Sequence, residues 1–312
     1  MSTLSHSETL TKFHLNPATR MGHAHLTVAD LERQVEFYQR FIGLKLHWRK
    51  NGAAGLGVGG EDLLRLSESP SAHRYRGTTG LYHFALLMPD RREEARVIAR
   101  LFSLNYPNYP TDHIQTKSTY VDDPEGNNIE VYTESPEDGT FSVVNNSFVA
   151  RRSDGSLSNG REAIDVEAFL HNLLPGDRLD ESMPPTTRMG HFHLYVANLD
   201  ETMHFYADLL GFDNLGIGRD FRMGMVSVAG YHHHIGFNTW VGEGAPPPPS
   251  GALGLRYITI LLPNQAEFER VSARLHEARL AVEPQEEGLL VYDPSRNGVL
   301  LSTFLHSNNA GF

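Results

Sequence analysis

Residues 20–44 read RMGHAHLTVADLERQVEFYQRFIGL, and residues 188–212 read RMGHFHLYVANLDETMHFYADLLGF. Twelve of these 25 aligned positions are identical, at an offset of 168 residues. Two further segments also recur, because the stretch from Gly80 matches the one from Gly254 and the stretch from Val121 matches the one from Val291. The chain therefore contains one unit twice. Residues needed for folding should persist in both copies, whereas residues needed for chemistry need persist in only one.

Each copy alternates strand patterns with a helix pattern. Polar and apolar side chains alternate in residues 21–28, which predicts a strand with one buried face. Asp30 then begins an amphipathic helix that ends at Gly43. Short strand patterns follow, and the same order starts again at Leu81. We therefore predict an α+β fold of four βαβββ modules, paired into two curved mixed-sheet domains.

The pattern also divides the chain along its length. We predict an N-terminal tail at residues 1–19, an N-terminal domain at 20–135, a linker at 136–187 and a C-terminal domain at 188–308. The N-terminal domain would hold the site, and the C-terminal domain would hold a degenerate copy of it. The linker is rich in Ser, Asp, Gly and Asn and carries a short helix near residues 163–174. Its phenylalanines predict that it is packed against the domains.

Composition limits the function classes. The formal net charge of −11 argues against a nucleic-acid or anionic-membrane surface. Because the chain has no cysteine, disulfides and thiolate metal sites are excluded, which suits a reducing cytoplasm. No apolar run is long enough to span a membrane, and the first 19 residues lack the features of a secretory signal. We expect a cytoplasmic protein with a small-molecule partner, and a homo-oligomer stays open.

Comparing the two copies singles out candidate site residues. His83 becomes Tyr257, Tyr120 becomes Leu290 and Glu130 becomes Leu300, whereas His23 is retained as His191. If modules one and two curve around one cavity, His23, His83 and Glu130 can all point into it. Two imidazoles and one carboxylate on one side of a metal form the facial arrangement of non-haem Fe(II), which leaves positions open for substrate and dioxygen. Zn(II) or Mn(II) could occupy the same ligands.

Other histidines receive structural interpretations. His25 recurs as His193, so we expect it to line a cavity or support the fold. The run from Tyr231 to His234 could form a second metal site with His191 and His193. Consecutive strand residues alternate between faces, however, and no carboxylate in that half matches Glu130, so we favour packing and hydrogen bonding around a vestigial cavity or the domain interface.

Several motifs resemble the vicinal oxygen chelate superfamily, which includes glyoxalase I, bleomycin-resistance proteins and extradiol dioxygenases. They are Gly22–Leu26, the helix around Phe37-Tyr38, and Asp123–Glu130. More narrowly, Gly80–Phe84, Thr111–His113 and Tyr231–Trp240 resemble two-domain catechol 2,3-dioxygenases. The resemblance implies metal ligands at His23, His83 and Glu130, together with catalytic roles for His113 and Tyr120. In related enzymes, residues of the last kind hydrogen-bond the substrate and move protons.

The resemblance implies an Fe(II)-dependent extradiol dioxygenase that cleaves a catechol-type aromatic with O2. One alternative is a metal-dependent lyase or isomerase of the glyoxalase kind. That class has a fourth ligand, a Glu, where our alignment finds Arg65. The other alternative is a non-catalytic small-molecule-binding protein, which would not need a complete His-His-Glu set.

Overall fold

The structure is a computed structural model, and it describes residues 13–304. Residues 1–12 of the predicted tail and residues 305–308 of the predicted C-terminal domain lie outside the described residues. In chain order the strands are β1 (Arg20–Val28), β2 (Lys45–Lys50), β3 (Ala53–Val58), β4 (Glu61–Glu68), β5 (Gly80–Leu87), β6 (Tyr109–Asp112), β7 (Thr116–Asp122), β8 (Asn128–Glu134), β9 (Gly139–Val144), β10 (Ser147–Arg152), β11 (Leu157–Ser158), β12 (Glu162–Ala163), β13 (Arg188–Tyr195), β14 (Asp213–Gly218), β15 (Met223–Ser227), β16 (Ile235–Asn238), β17 (Gly254–Leu262), β18 (Val282–Gln285), β19 (Gly288–Tyr292) and β20 (Gly298–Thr303).

The described residues also form helices, and the first of them begins directly after the predicted cap, Asp30. They are α1 (Leu31–Phe37), α2 (Arg91–Ser103), α3 (Val166–Leu170), α4 (Leu199–Met203) and α5 (Gln265–Glu277), and π-helical turns at Tyr38–Ile42 and His204–Leu209 extend α1 and α4. The Asp30 carboxylate accepts a hydrogen bond from the Arg33 backbone N–H, which satisfies one free donor of the first turn. The π turn after α1 ends at Gly43, whose φ of 95° suits glycine. None of the helices within residues 13–304 is both long and apolar enough to cross a membrane.

Two large mixed sheets and one small sheet organise the chain. The eight-stranded sheet has the order β18-β19-β20-β17-β1-β4-β3-β2, and the nine-stranded sheet has the order β12-β6-β7-β8-β5-β13-β16-β15-β14. The predicted α+β fold of βαβββ modules in two mixed sheets is therefore confirmed. Fully buried aromatic side chains, including Tyr38, Phe84, Phe192 and Tyr206, fill the core between sheets and helices.

The four modules pair differently from the prediction, which placed modules one and two in one domain and modules three and four in the other. The first strand of module one, β1, pairs antiparallel with β17 of module four, whereas β5 of module two pairs with β13 of module three. Each large sheet is thus built from both halves of the chain, and the division into domains at 20–135 and 188–308 does not describe the sheets. The physical reason is that each module presents an equivalent first-strand edge, so the pattern within one module does not select its partner.

The predicted linker contributes to the structure around the nine-stranded sheet. Strands β9, β10 and β11 form a separate three-stranded sheet, and β12 extends the nine-stranded sheet beside β6. The rings of Phe141 and Phe148 stack with centroids 5.0 Å apart. Helix α3 is shorter than predicted, and its Phe169 is buried. Part of the predicted N-terminal tail is also packed, because Leu15 is buried and its N–H donates to the Gly211 carbonyl.

Candidate metal centre

Three side chains converge in the nine-stranded sheet, and we call them the metal-ligand cluster: His83, Glu130 and His191. Glu130 Oε2 lies 3.1 Å from His83 Nε2 and 3.0 Å from His191 Nε2. The two Nε2 atoms are 3.3 Å apart. Each of the three residues is at most 3% exposed. Two imidazoles and one carboxylate therefore direct a donor atom toward one point.

Adjacent strands hold this cluster in register. His83 lies on β5, which pairs with β13 on one side and with β8 on the other. Glu130 is opposite Ala85 across the parallel β5–β8 pair, and His191 is opposite Ala85 across the antiparallel β5–β13 pair. Strand pleating directs residues of the same parity to the same face, so the three side chains meet on one side of the sheet. Ser118 on β7 donates to Glu130 Oε1 at 2.6 Å and fixes the carboxylate.

The protonation states suit cation binding. Burial by itself would raise the pKa of Glu130, but His191 and His83 outweigh it and hold this pKa well below the usual value. Burial lowers the pKa of His191 to about 4, against the opposing effect of Glu130. Near neutral pH the cluster therefore offers an ionised carboxylate and a neutral imidazole, which are the forms that bind metals.

The spacing of the donor atoms matches a metal site. Ligand atoms that lie about 2.0–2.2 Å from one cation, at right angles to each other, are about 3 Å apart. The three observed separations of 3.0–3.3 Å agree with this spacing. Among the described residues, 13–304, the Nδ1 atoms of His83 and His191 have no hydrogen-bond partner, so no competing contact orients either ring there. The cluster fits a divalent transition metal held on one face.

The structure does not bring His23 to this cluster, so its predicted grouping with His83 and Glu130 is wrong. His23 lies on β1 in the eight-stranded sheet, where its Nε2 is 3.4 Å from Thr259 Oγ1 and its ring packs against Tyr257. Its repeat counterpart, His191, takes the position expected of it. The error follows from the assumed pairing of modules one and two, since module two pairs with module three instead.

A glycine, Gly236, occupies the position at which a fourth protein ligand could stand. Glu130 on β8 is opposite Ala85, which lies two residues after His83 on β5. In the same way, Gly236 on β16 is opposite His193, which lies two residues after His191 on β13. Arg65, which we expected to occupy the fourth-ligand position, is opposite His25 in the eight-stranded sheet. The glycine therefore leaves this side of the cluster open toward the cavity, whose wall includes Gly236.

His113 and Tyr120, the two residues for which the resemblance implies catalytic roles, form a hydrogen-bonded pair beside the cluster. Tyr120 is directly opposite Glu130 across the β7–β8 hairpin, and its ring centroid lies 5.6 Å from that of His83. His113 Nδ1 is 2.7 Å from the Gly160 carbonyl, which can only accept, so Nδ1 carries the proton. His113 Nε2 therefore has a free lone pair, and it accepts from the Tyr120 hydroxyl at 2.9 Å.

The electrostatics of the pair keep both groups neutral. Burial lowers the pKa of His113, although Glu130 and the Gly160 carbonyl act in the opposite direction. Burial and the nearby Glu130 carboxylate raise the pKa of Tyr120 well above its usual value. His113 is thus a neutral base and Tyr120 a neutral hydrogen-bond donor near neutral pH.

A cavity of about 190 Å³ opens onto these residues. Its walls combine the metal-ligand cluster with aromatic and thioether side chains. The apolar and aromatic part comprises Tyr82, Phe141, Phe221, Met223, Met225 and Trp240. A cavity of roughly 150 Å³ can bind benzene, so this one has room for a single substituted aromatic ring.

A second group of histidines surrounds His191. The rings of His233 and His232 lie 4.2 and 5.6 Å from the His191 ring, centroid to centroid, and the three residues form a second cluster with metal-ligand spacing. His232 Nδ1 is 3.0 Å from Glu134 Oε1. The predicted packing role of this segment thus concerns the site itself rather than a vestigial cavity. His193 also lines the cavity, and its Nε2 accepts from Asn238 at 2.9 Å.

Comparison with known proteins identifies the family. The model of the Glyoxalase/Bleomycin resistance protein/Dioxygenase superfamily matches residues 20–131 and 188–297. The chain belongs to this superfamily. It is also 39% identical to the catechol-2,3-dioxygenase of Bacillus subtilis (strain 168) over 279 residues, which cover 88% of this chain and 94% of that protein. A lactoylglutathione lyase of Neisseria meningitidis serogroup A is 30% identical over 121 residues, covering 36% of this chain and 88% of the lyase.

Solved structures support the superfamily fold. A putative dioxygenase from Bacillus subtilis aligns with a TM-score of 0.62 at 15% identity, covering 91% of this chain and 84% of the other. Glyoxalase I from Zea mays aligns with a TM-score of 0.56 at 17% identity, covering 93% and 94%. At these identities the likeness concerns the fold alone.

Sequence reasoning missed His191, Gly236 and the linker residues around Gly160. The signal for His191 was present, because the repeats align it with His23. Gly236 follows from the same alignment once the module pairing is known. The residues around Gly160 carry no repeat signal, since the linker has no counterpart in the other copy.

Proposed function

We propose that this chain is an Fe(II)-dependent extradiol dioxygenase, which opens the ring of a catechol-type aromatic with O2. The observation that carries the proposal is the metal-ligand cluster of His83, Glu130 and His191, open on one side to an aromatic-lined cavity. The name of the 39% identical Bacillus subtilis relative, a catechol-2,3-dioxygenase, supports the same activity.

The donor set selects among metals. Two imidazoles and one carboxylate are the ligands of non-haem Fe(II) oxygenases, and Mn(II) can use the same set. Zn(II) lacks the redox chemistry that the reaction needs. His83, Glu130 and His191 would hold Fe(II) here, and the metal would supply the redox chemistry that a reaction between dioxygen and an aromatic ring requires.

His113 and Tyr120 would accept the proton that the substrate loses. A catechol must lose a proton to chelate, and the neutral His113 Nε2 is the available acceptor on this side of the cavity. Tyr120 can pass its own hydroxyl proton to His113 Nε2 at 2.9 Å while it accepts one from the substrate. Afterwards the Tyr120 hydroxyl can donate to the anionic substrate oxygen. The pair therefore moves a proton without any exposed group.

The cavity walls would orient the ring. Met223 and Met225 are buried, and Trp240 and Phe141 supply flat apolar surfaces. Such surfaces stack against an aromatic ring and exclude water from it. The substrate hydroxyls would then face the metal-ligand cluster, which orients the bond to be cleaved.

A glyoxalase-like lyase remains the main competitor, because a lactoylglutathione lyase is among the relatives. The resemblance gives that class a fourth protein ligand. The corresponding position here is Gly236, which offers none. Three ligands leave room for a bidentate diol and dioxygen, which favours ring opening. A non-catalytic binding protein would have no use for a fully buried His-His-Glu cluster.

A paired substitution tests the proposal. The full chain is purified without oxygen, loaded with Fe(II) and assayed with a panel of catechols for oxygen uptake and product absorbance. We expect wild type to take up one O2 per ring opened. His191→Ala should lose bound iron and turnover, because it removes a ligand. His23→Ala, at the repeat-equivalent position in the other sheet, should keep both.

Thermal melting of both variants separates metal loss from unfolding. Full iron content and turnover in a folded His191→Ala protein would refute the proposed site. Iron-loaded wild type that consumes no oxygen with any catechol, but converts a thiol adduct of a 2-oxoaldehyde, would favour the lyase instead.

A further inference from the structure

An arginine at the mouth of the cavity has no role in the proton transfers described above. Arg161 lies between β11 and β12, lines the cavity and is exposed to solvent. Its guanidinium carbon is 6.0 Å from the centroid of the Tyr120 ring. The Tyr120 ring in turn lies 5.6 Å from the His83 ring, so Tyr120 stands between Arg161 and the metal-ligand cluster.

The backbone around Arg161 is anchored to the site. His113 Nδ1 donates to the carbonyl of Gly160, the residue before Arg161, at 2.7 Å. Gly160 has a φ of +71°, and a Cβ there would come within 2.6 Å of the Phe141 ring, so only glycine suits this close approach. On the other side, Glu162 pairs with Asp112 between β12 and β6. The backbone of residues 160–162 therefore holds Arg161 at the cavity.

The charge of Arg161 is not neutralised by the protein. Within residues 13–304, no carboxylate forms an ion pair with its side chain, and the neighbouring Glu162 is paired with Arg152 instead. The groups around the guanidinium are the phenol rings of Tyr82 and Tyr120 and the neutral imidazole of His113. The Arg161 side chain shares a hydrogen bond with Tyr82. Because a guanidinium has five N–H donors, further donors are available to a ligand that enters the cavity.

We propose that Arg161 binds a carboxylate on a side chain of the aromatic substrate, an inference that rests on the proposed function of the metal-ligand cluster. The cavity wall contains the metal-ligand cluster, aromatic and apolar side chains, and the Arg161 cation, which together suit a molecule that carries a diol, a ring and an anion. Guanidinium and carboxylate form two parallel hydrogen bonds, so the contact would fix the ring as well as attract it. The preferred substrates would then be catechols with an acidic side chain.

A matched pair of substrates separates this contact from the ring chemistry. The two probes are 3,4-dihydroxyphenylacetate and 4-ethylcatechol, which have a similar shape and differ in the carboxylate. We expect wild type, loaded with Fe(II), to have a higher kcat/KM for the acid. In Arg161→Gln, kcat/KM for the acid should fall by about 10- to 100-fold, the usual range for a charge-assisted hydrogen bond, while the value for 4-ethylcatechol stays within about twofold.

Arg161→Lys is the conservative control, and it should recover part of the loss because it keeps the charge but not the fork. Equal losses for both substrates in Arg161→Gln would overturn the proposal, since Arg161 would then act on the ring oxygens or on Tyr120. A wild-type preference for 4-ethylcatechol would overturn it as well.

Binding without turnover distinguishes this inference from the proposed function. Trp240 lies in the cavity wall, so quenching of tryptophan fluorescence reports ligand entry. If wild type opens neither ring, the proposed function fails, yet tighter binding of the acid that is lost in Arg161→Gln would still support the carboxylate site. Equal binding of both probes would reject it.

Discussion

The two large sheets repeat one plan, but within residues 13–304 only the nine-stranded sheet carries a His-His-Glu set with metal-ligand spacing. The equivalent positions in the nine-stranded sheet hold His191, Gly236, His83 and Glu130, and those in the eight-stranded sheet hold His23, Arg65, Tyr257 and Leu300. Their strand pairing is the same, because Ala85 is opposite Glu130 on one sheet and Thr259 is opposite Leu300 on the other. The strand pairing is therefore the same in both sheets, and the residues at these four positions distinguish them.

The eight-stranded sheet uses these positions for packing. Arg65 Nε and Nη1 donate to Asp62 at 2.9 Å and to Glu287 at 2.6 Å, and this arginine is 7% exposed. Tyr257 packs its ring edge-to-face against His25, with centroids 4.8 Å apart. A buried ion-pair network thus stands where the other sheet has a glycine and an opening.

The largest expected difference between the sheets concerns the last strand of each. Glu130→Ala should abolish iron retention and turnover while the protein stays folded, because it removes the only anionic ligand of the cluster. Leu300→Ala should keep iron and activity but lower the free energy of unfolding by about 2–5 kcal/mol, since it opens a cavity at a residue that is 1% exposed. Iron content and urea unfolding measure both. If Glu130→Ala retained iron, Glu130 would not be a ligand, and the proposed difference between the two sheets would be wrong.

Gly236→Glu would convert the open side of the cluster into a four-ligand site. We expect it to retain iron but to lose most of its oxygen-dependent turnover, because the new carboxylate would occupy a position that substrate or dioxygen needs. Gly236→Ala is the control for added bulk, since a Cβ there would lie 3.1 Å from His193 Nδ1. Oxygen uptake of the two variants is compared at equal iron content. Undiminished turnover by Gly236→Glu would show that neither substrate nor dioxygen binds on the Gly236 side of the cluster.

Tyr120 has an aliphatic counterpart, Leu290, and should affect catalysis without affecting metal binding. Tyr120→Phe removes the hydroxyl that donates to His113. We expect kcat to fall roughly 10- to 100-fold, the range for a hydrogen bond to a charged group, with iron content unchanged. Stopped-flow kinetics with catechol would measure it. An unchanged kcat would remove Tyr120 from the mechanism.

The smallest effect concerns pH and the eight-stranded sheet. Burial, with Arg256 and Arg65, lowers the pKa of His25 to about 3. The folded state therefore favours neutral His25, and its contribution is complete above pH 6.5 and is lost as the pH falls from 6.5 toward 3. At pH 5 the loss is about 2 kcal/mol. Urea unfolding of the metal-free protein should show that His25→Gln reduces the drop in stability between pH 7 and pH 5.

His204 provides the matched control for this measurement. Its side chain is 59% exposed, so His204→Gln removes an imidazole from the surface without altering a buried site. An equal effect of both substitutions would mean that burial of His25 does not govern the acid sensitivity.

Local structure could be predicted from the sequence because local physics determines it. The cap at Asp30, the turn at Gly43 and the strand pattern around His83 each depend on residues a few positions apart. The residues of module two were also predicted together, since the β7–β8 hairpin brings Tyr120 opposite Glu130. Within a module, the sequence spacing of the residues was therefore sufficient to predict which of them lie together.

The partner of each module could not be predicted in this way. Pairing of β5 with β13 rather than with β1 depends on contacts between strands about 100 residues apart, and all four first strands have similar patterns. For that reason His23 was chosen and its repeat, His191, was not. Arg161 was missed because its position depends on the Gly160–His113 contact, which joins the linker to β6 and β7.

Anomalous X-ray scattering measured above and below the iron edge, on crystals of the Fe(II)-loaded protein, tests the central claim most directly. The account predicts one iron peak, bounded by His83, Glu130 and His191, in the nine-stranded sheet. A peak beside His23 in the eight-stranded sheet, or iron bound only at the protein surface, would contradict it.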